Sequence, residues 1–437
     1  MKIAILGYGR QGQSASEYWQ QLDPEKQITI CDSNKSIEVP DQYGSQLGEK
    51  YLNNLDEFDL IVRSPSIHPK QIVEANSEQI LKKVTSTTNE FFKVCPTKNI
   101  IGVTGTKGKG TTSTLIAKML EAAGFRVHLG GNIGLDPLQL LKEDILPSDW
   151  VVLEIANFQA IDLTHSPQIA VCLTFTPEHL DWHADTAEYM KSKAQLFSHQ
   201  HQKDIAVYYD ANSFSTEIAS ISAGTKIPYL KKPGAFLNGD FIEIEDKKIC
   251  ATSDVKLIGK HNLQNICAAI TVVWQITQNA DAIKQTIGSF SGLPHRIEFV
   301  RDYRGVSYYN DSFATAQGAT IAAINAIEAN KVLILGGYDR GMDLREIIEE
   351  VKLHKKDITH YILIGSTANQ LKKELELNKI TNYTLVESKK MSDIVKTAAT
   401  LAKPGEAVIF SPAFASFDMF KDFEDRGNQF REQVSLL

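Results

Sequence analysis

Residues that could hold phosphate groups are concentrated in one glycine-rich segment of this sequence. The segment from Gly102 to Thr112 reads GVTGTKGKGTT, with an apolar run before it and a helical pattern after it. In such a strand–loop–helix turn, backbone N–H groups and the helix N-terminus bind phosphate oxygens. Lys109 adds a positive charge, and a hydroxyl of Thr111 or Thr112 can reach Mg²⁺. The segment predicts a nucleotide-phosphate site, although its glycine spacing departs from the common motif; a purely structural turn is the weaker alternative.

Three further side chains could take part in metal chemistry. Glu154 ends the apolar run Trp150–Glu154, and burying a carboxylate is costly unless a cation pairs with it. His179 follows the next apolar run, and parallel sheets bind ligands at the ends of their strands. Lys193 lies on the helical segment after that, where pattern alone predicts a surface lysine. This convergence at one sheet edge favours a metal site over the structural role that a lone histidine usually has.

A second glycine motif lies near the start of the chain. Gly7-Tyr-Gly9-Arg-Gln-Gly12 follows a short apolar run, and Asp32 comes twenty positions after Gly12. This pattern is typical of a turn that binds a dinucleotide diphosphate, with the acidic residue on a ribose hydroxyl. Alone it predicts an NAD- or FAD-dependent enzyme. Because a phosphate loop also occurs elsewhere in the chain, binding of a uridine-diphosphate substrate is an equally good interpretation.

Composition argues against several classes of protein. The 437 residues are 43% hydrophobic and 23% charged, with a net charge of −7. Basic residues interleaved with aromatics form no block, so we expect no nucleic-acid partner. The five cysteines are far apart, which fits a reducing compartment. The N-terminus lacks a secretory pattern and no apolar run approaches the ~20 residues that span a bilayer, so we expect a cytoplasmic protein without a membrane partner.

Apolar runs that alternate with helical patterns predict an α/β protein with parallel sheets. A prior of roughly 150 residues per domain gives about three domains. We predict a Rossmann-like domain over residues 1–93, a phosphate-loop domain over 94–293 and a second Rossmann-like domain over 294–437. The central domain is expected to have a mixed sheet, because residues 241–251 alternate like an antiparallel hairpin.

Polar and glycine clusters also occur near predicted strand ends in the last third of the chain. They are Pro294-His-Arg296, Asn310-Asp311-Ser312, Gly336-Gly-Tyr-Asp-Arg340 and Ser411–Asp418. They predict a second substrate site. Ordinary connecting loops are an equally good interpretation.

Taken together, these motifs resemble the Mur ligase family of peptidoglycan synthesis, nearly end to end and in the family's order. The matching pieces are GVTGTKGK at 102–109, GGNIG at 130–134, Glu154 with Phe158-Gln159, His179-Leu-Asp181, Lys193, His261-Asn-x-x-Asn265, Pro294-His-Arg296, Asn310-Asp-Ser312, Gly336-Gly337 and Ser411–Asp418. The segment FEDRGNQF at 423–430 is similar to that of the family's D-glutamate-adding branch.

The resemblance implies a monomeric ligase that uses ATP and Mg²⁺ to join D-glutamate to UDP-N-acetylmuramoyl-L-alanine through an acyl phosphate. The implied ATP-binding residues are Gly105, Thr106, Gly108, Lys109, Gly110, Thr111, Thr112, Asn265, Arg296 and Asp311. Those implied for the UDP substrate are Gly9, Arg10, Gln11, Asp32, Asn132 and Asn157, and those for the amino acid are Thr315, Arg340, Ser416 and Phe423. The implied metal ligands are Thr111, Glu154, His179 and Lys193, the last as a carbamate; Lys109, His179 and Lys193 are the implied catalytic residues.

The sequence also departs from the family's pattern. Phe313 stands where the family has a lysine, Ala156 and Asn157 replace a pair of serines, and the loop carries Lys107 and Gly110 as in folylpolyglutamate synthase. A related ligase for another amino acid is therefore an alternative. From other classes, an NAD-binding dehydrogenase or a nonenzymatic nucleotide-binding regulator also fits the glycine motifs. The N-terminal glycine domain argues against a folate ligase, which lacks it.

Overall fold

The structure is a computed structural model that describes residues 1–259 and 261–437. The chain divides into two compact units. The first contains Met1–Val255 and Leu263–Gly288, and the second contains Lys256–Asn262 and Ser289–Leu437. Each unit is built on parallel β-sheet, as the alternating sequence pattern predicts.

The first unit begins with a five-stranded parallel sheet. Its strands are β1 (Lys2–Leu6), β2 (Gln27–Asp32), β3 (Gly44–Leu47), β4 (Leu60–Arg63) and β5 (Val84–Thr85), in the order β3-β2-β1-β4-β5. The helices of this part are α1 (Arg10–Leu22), α2 (Pro69–Ala75) and α3 (Thr87–Val94), with 3₁₀ turns at Leu55–Glu57 and Glu78–Lys83. The central strand β1 is an apolar run because both of its faces are covered.

A six-stranded parallel sheet follows in the same unit. Its strands are β6 (Ile100–Thr104), β7 (Val127–Gly131), β8 (Trp150–Glu154), β9 (Ile169–Cys172), β10 (Ile205–Tyr209) and β11 (Thr225–Tyr229), in the order β11-β10-β9-β6-β8-β7. The helices are α4 (Lys109–Ala122), α5 (Pro137–Leu140), α6 (Asn157–Ala160), α7 (Thr186–Ser198) and α8 (Ser213–Ser220), with a 3₁₀ turn at Leu141–Glu143. The phosphate loop joins β6 to α4, so it lies at the carboxyl edge of the sheet.

The predicted antiparallel hairpin forms, but not as an edge of the six-stranded sheet. Strands β12 (Phe236–Asn238), β13 (Phe241–Ile244) and β14 (Lys247–Ala251) make a separate three-stranded sheet. A 3₁₀ turn at Thr252–Asp254 follows, and then α9 (His261–Trp274) and α10 (Ala280–Ser289). The central region therefore contains both parallel and antiparallel strands, but they belong to two separate sheets.

The second unit contains a six-stranded sheet with one antiparallel edge strand. Its strands are β15 (Glu298–Tyr303), β16 (Val306–Asn310), β17 (Lys331–Gly336), β18 (Ile358–Ile364), β19 (Tyr383–Leu385) and β20 (Ala407–Phe410), in the order β15-β16-β20-β17-β18-β19. Its helices are α11 (Gln317–Ala326), α12 (Arg345–Leu353), α13 (Ala368–Leu377), α14 (Met391–Leu401) and α15 (Phe423–Ser435). Only β15 pairs antiparallel in this sheet, with β16.

The two parallel sheets of the first unit share one apolar core. One cluster of buried apolar side chains includes Ile3 and Val62 of the first sheet and also Val151 and Cys172 of the second. None of the helices in the part of the chain that the structure describes is long and apolar enough to cross a membrane.

Candidate active site

The phosphate loop has a backbone that only glycine can adopt at two points. Gly105 has φ +146° and Gly108, at the N-cap of α4, has φ +85°. A Cβ at Gly108 would lie 2.2 Å from Oδ1 of Asn265, and one at Gly105 would lie 2.7 Å from Cβ of Leu173. The loop is therefore closely packed against Asn265, while the first turn of α4 presents its N–H groups for anion binding.

Two lysines meet at the carbonyl oxygen of Gly105. Lys193 donates to it from Nζ at 2.9 Å, and Lys109 donates at 3.1 Å and also to the Thr106 carbonyl at 3.0 Å. Lys193 is 1% exposed. Burial, and then repulsion from Lys109, lowers the pKa of Lys193 to about 7, so a large neutral fraction exists at neutral pH. The expected surface lysine is thus a buried amine beside the phosphate loop.

Glu154 is the buried carboxylate of this site. It is 2% exposed at the end of β8, and its Oε1 accepts a hydrogen bond from Nδ2 of Asn132 at 2.7 Å. Its Oε2 is buried with no hydrogen-bond partner among the described residues. Leaving an anionic oxygen unpaired is costly, so this atom fits a cation ligand.

His179 has an unusual backbone for a non-glycine residue, with φ +57°. Its ring packs edge-on against Phe158, with centroids 4.8 Å apart, and lies 6.2 Å from the ring of Tyr189. Loss of solvent at the ring lowers the pKa of His179. The imidazole is therefore neutral at neutral pH and keeps a lone pair for a metal ion.

Tyr189 and Thr106 connect the His179 loop to the phosphate loop. The Thr106 hydroxyl donates to the Thr176 carbonyl and accepts from the Thr176 N–H, both at 2.9 Å, and lies 3.2 Å from the Tyr189 hydroxyl. The Tyr189 ring also lies 4.6 Å from Nζ of Lys193. The four-residue spacing of Tyr189 and Lys193 on α7 puts both on one helix face.

Hydroxyls in the first turns of α4 differ in their surroundings. Thr111 is half-buried, whereas Thr112 is buried and its Oγ1 has no hydrogen-bond partner among the described residues. Gly110 brings no hydroxyl of its own. Thr111 and Thr112 are the hydroxyl side chains nearest the start of this helix, where a phosphate-bound metal would lie.

The N-terminal glycine turn already uses its acidic residue. Oδ2 of Asp32 accepts from the Tyr8 N–H at 2.8 Å and Oδ1 from the Asn34 N–H at 2.8 Å. A Cβ at Gly12 would lie 1.9 Å from the Gly7 carbonyl oxygen. Each oxygen of the Asp32 carboxylate therefore accepts one backbone N–H group, and these bonds stabilise the turn itself.

The other residues expected to contact the UDP substrate lie along the line between the two parallel sheets. Arg10 donates from Nη1 to the Gly134 carbonyl at 3.3 Å, and Thr87 donates to Oε1 of Gln11 at 3.2 Å. Nδ2 of Asn157 lies 2.8 Å from Nε2 of His183. Gly9 is the N-cap of α1 and has open space where a Cβ would be.

In the second unit, Asp311 is a buried carboxylate. Its Oδ2 accepts from the Ser411 hydroxyl at 2.6 Å and its Oδ1 from the Ile297 N–H at 3.0 Å. Burial raises the pKa of Asp311 to about 7, although these bonds and Arg296 oppose it. The guanidinium of Arg296 stacks on the ring of Phe313 at 3.7 Å, so the position where the family has lysine supports an arginine here.

The residues expected to bind the amino acid lie on loops of the second unit. Phe423 packs against Phe313 with ring centroids 5.0 Å apart, and Arg340 lies 5.7 Å from the Phe417 ring. The Tyr338 N–H donates to the Ala415 carbonyl at 2.9 Å, which joins the loop containing Arg340 to the loop containing Ser416. Thr315 is half-buried and its N–H donates to the Phe313 carbonyl.

Sequence reasoning missed one buried cation of the second unit. Arg426 is 1% exposed and donates to Ser312 Oγ at 2.9 Å, to the Ser312 carbonyl at 2.7 Å, and to the carbonyls of Phe414 and Ala415. It therefore joins three polar segments. Its place within the FEDRGNQF segment was the available signal.

Comparison with known proteins agrees with this arrangement. Residues 103–273 match the family model for the Mur ligase middle domain, and residues 295–414 match that for the Mur ligase, glutamate ligase domain. UDP-N-acetylmuramoylalanine–D-glutamate ligase of Clostridium kluyveri is 36% identical over 396 residues, covering 89% of this chain and 85% of the relative. The protein of the same name from Clostridium tetani is 33% identical over 454 residues, covering 100% and 97%. The structure of MurF ligase from Thermotoga maritima in complex with ADP is similar in fold, with a TM-score of 0.59 at 18% identity, covering 100% of this chain and 95% of that one.

The chain therefore belongs to the Mur ligase family, and the resemblance carried by its motifs is confirmed. As a member of that family it is an enzyme, an ATP-dependent ligase. The expected α/β architecture is confirmed as well.

Proposed function

We propose that this enzyme joins D-glutamate to UDP-N-acetylmuramoyl-L-alanine and converts ATP to ADP and phosphate. Full-length relatives with that activity in their names, at 33% and 36% identity, support the choice of substrates. The observation that carries the chemistry is the meeting of Lys109 and Lys193 at the Gly105 carbonyl. This arrangement puts a fixed cation and a buried amine beside an anion-binding helix terminus.

The phosphate-handling part of the proposal rests on the loop and on α4. The N–H groups of the loop and of the first turn of α4 bind phosphate oxygens of ATP, except those of Thr106 and Thr112, which donate to the carbonyls of Thr174 and Gly108. Lys109 leaves its two carbonyl acceptors to bind the outer phosphates. Asn265 packs against Gly108 and is proposed to contact the nucleotide. Arg296 and Asp311 are proposed as further nucleotide contacts.

Mg²⁺ fits the donor set of the first unit. Glu154 Oε2 is buried without a hydrogen-bond partner among the described residues, the lowered pKa of His179 favours its neutral ring, and Thr111 offers a hydroxyl at the start of α4. We propose these as ligands, with Lys193 completing the set as a carbamate. The lowered pKa of Lys193 supplies the neutral amine that reaction with CO₂ requires. When bound, Mg²⁺ would neutralise charge on the transferring phosphoryl group.

The proposed reaction has two steps. The substrate carboxylate attacks the γ-phosphorus of ATP, which forms an acyl phosphate and releases ADP. The amine of D-glutamate then attacks the acyl carbon, and the tetrahedral intermediate expels phosphate as the amide forms. The residues of the site bind and align the reactants, because an aligned nucleophile and exclusion of water account for much of such a rate enhancement.

We propose separate regions for the other two substrates. Gly9, Arg10, Gln11, Asp32, Asn132 and Asn157 bind the uridine substrate in this scheme. Thr315, Arg340, Ser416 and Phe423 bind the amino acid. The guanidinium of Arg340 can bind a carboxylate through two parallel hydrogen bonds. We also propose that the enzyme acts as a cytoplasmic monomer without nucleic-acid or membrane partners.

The decisive experiment is phosphate release by the purified enzyme from ATP with UDP-N-acetylmuramoyl-L-alanine and each of several amino acids. We expect release only when D-glutamate is present, and not with L-glutamate, D-aspartate, L-lysine or meso-diaminopimelate. Release with a different amino acid would replace D-glutamate in the proposal. Phosphate release that needs no amino acid, or reduction of NAD⁺, would favour the regulator or dehydrogenase alternatives.

The metal assignment has its own experiment. Glu154→Gln keeps the size of the side chain and its bond with Asn132, but it weakens the interaction with a cation. We expect the Mg²⁺ concentration for half-maximal phosphate release to rise about tenfold to a hundredfold. Glu217→Gln, an exposed glutamate on α8, is the matched control. An unchanged Mg²⁺ requirement in Glu154→Gln would remove this residue from the ligand set.

A further inference from the structure

Glu188 forms the centre of a polar network that the phosphate and metal chemistry does not use. Its Oε2 accepts from the Ala184 N–H at 2.8 Å. The same oxygen lies 3.4 Å from Nε2 of His68 and 3.4 Å from Nδ1 of His183. His68 precedes α2 beside the first parallel sheet, whereas His183 and Glu188 precede and begin α7, so the network joins both halves of the first unit.

One hydrogen bond and two ion-pair contacts indicate where the protons of this network lie. Nδ1 of His68 accepts from the Lys70 N–H at 3.0 Å, so the ring proton lies on Nε2 and faces Glu188. Nδ1 of His183 makes no hydrogen bond to the described residues, but it lies at ion-pair distance from the same carboxylate, 3.4 Å from Oε2, and the negative charge there favours a proton on Nδ1. Nε2 of His183 is then an acceptor for Nδ2 of Asn157 at 2.8 Å. The chain of donors and acceptors therefore has one consistent direction.

These bonds fix which way the Asn157 amide points. Its NH₂ group is engaged by His183, so Oδ1 is directed elsewhere, and Oδ1 makes no hydrogen bond to any residue that the structure describes. Asn157 is 3% exposed. It begins α6, three residues after Glu154, and the next residue, Phe158, packs against the ring of His179. Asn157 thus lies between two parts of the proposed metal site, Glu154 at the end of β8 and the Phe158 ring that contacts His179.

We propose that Glu188, acting through His183, is a positioning residue that holds Asn157 Oδ1 towards the acyl substrate, where it accepts the amide N–H adjacent to the reacting carboxylate. An acceptor on this buried residue favours an acyl substrate with a secondary amide, because a substrate without the N–H cannot make this hydrogen bond. The inference rests on the proposed function, which supplies such a substrate.

A metal ion is a weaker occupant of the same cluster. The ligand atoms of His68, His183 and Glu188 lie within 4.8 Å of one another, which is near metal-binding spacing. Coordination would need a lone pair on Nε2 of His68, and its proton would move to Nδ1. The Lys70 N–H would then lose its acceptor and α2 would lose its N-cap. If the cluster instead positions Asn157, the Lys70 N–H keeps its bond to His68 and α2 keeps its N-cap.

A double-mutant cycle tests the proposal. We expect Glu188→Gln and Asn157→Ala each to raise the KM for the uridine substrate about three- to tenfold, the effect of one hydrogen bond. The KM for ATP stays constant. If Glu188 acts through Asn157, the double variant has the same KM as Asn157→Ala. The proposal would be overturned if the KM increases of the two single variants multiplied in the double variant, or if the KM for ATP rose in parallel. Glu74→Gln, an exposed glutamate on α2, is the control.

A second measurement is independent of turnover. In protein labelled with ¹⁵N-histidine, long-range ¹H–¹⁵N spectra should report His183 protonated on Nδ1 in the wild type, with a change of tautomer population in Glu188→Gln. Protonation of His183 on Nε2 would reverse the Asn157 amide and overturn the proposal. If the wild type does not turn over the uridine substrate, the proposed function fails, while the spectra still report on the network.

Discussion

The two glycine turns of the first unit have similar local structure and opposite surroundings. Each follows a parallel strand and begins a helix, α1 in one case and α4 in the other. The backbone of the first turn is bound by a carboxylate, Asp32, through the Tyr8 N–H. That of the second is bound by two lysines, Lys109 and Lys193, through the Gly105 carbonyl. Two similar glycine turns thus differ in the side chains that contact their backbone, and those side chains include residues from distant parts of the chain.

Removal of the fixed cation from the second turn should have the largest effect. We expect Lys109→Ala to lower kcat for phosphate release by at least about 10²- to 10³-fold, because charge on the transferring phosphoryl group loses its preorganised partner. Lys107→Ala removes an exposed lysine from the same loop and should leave kcat within about twofold. Comparable losses in both variants would mean that net loop charge, not the position of Lys109, drives catalysis.

Crowding the first turn should reduce stability. In Gly12→Ala the new Cβ meets the Gly7 carbonyl oxygen at 1.9 Å, whereas Gly9→Ala meets nothing within 4 Å. We expect Gly12→Ala to lower the free energy of unfolding by about 1–3 kcal/mol and Gly9→Ala to leave it nearly unchanged. Urea denaturation followed by circular dichroism measures both. Equal stability of the two variants would contradict the close approach of α1 to the turn.

Changing the acceptor of the first turn should affect one substrate only. Both carboxylate oxygens of Asp32 accept backbone N–H groups, so Asp32→Asn puts an NH₂ group against one of them. We expect the KM for the uridine substrate to rise about tenfold, as for loss of a charged hydrogen bond, with the KM for ATP unchanged. Asp41→Asn, at an exposed position, is the control. A rise in the KM for ATP instead would show that the turns are not independent.

The buried amine beside the second turn should make stability depend on pH. The pKa of Lys193 falls from 10.5 to about 7 in the folded protein. Between these pH values the unfolded chain binds a proton that the folded chain does not, so this residue makes stability rise with pH. Relative to Lys193→Met, the wild type should gain about 1 kcal/mol per pH unit between pH 7 and 9 in CO₂-free buffer. Lys191→Met changes an exposed lysine on the same helix, and its stability difference from the wild type should not depend on pH. If the difference in unfolding free energy between the wild type and Lys193→Met were the same at every pH, the lowered pKa of Lys193 would be contradicted.

Elements with continuous apolar runs were predictable from sequence, and polar edge strands were not. The bounds of β8 agree with the apolar run Trp150–Glu154 of the sequence. Strand β3 (Gly44–Leu47) has no fully buried residue and therefore no periodic apolar signal. It exists because its backbone pairs with β2. Strands of this kind depend on a neighbour that a local window cannot reveal.

Much of the candidate site could also be found from residue types and spacing. The loop with Lys109, the carboxylate Glu154 at a strand end, and His179 after the next strand all carry local signals. Lys193 looked like a surface residue, because nothing near it in the sequence indicates that it meets Gly105, 88 positions away. The roles of Glu188 and His183 likewise depend on His68 and Asn157, which lie in other segments.

The sequence by itself determined the α/β class, the phosphate loop and the family, because these depend on periodicity and on short motifs that a few contiguous residues complete. The tertiary structure alone decided the chemical state of those residues. It buried Lys193 and lowered its pKa, left one oxygen of Glu154 unpaired, and engaged Asp32 with the N-terminal turn. Solvation and hydrogen bonding set a side chain's charge and availability, and both come from neighbours that only folding brings together.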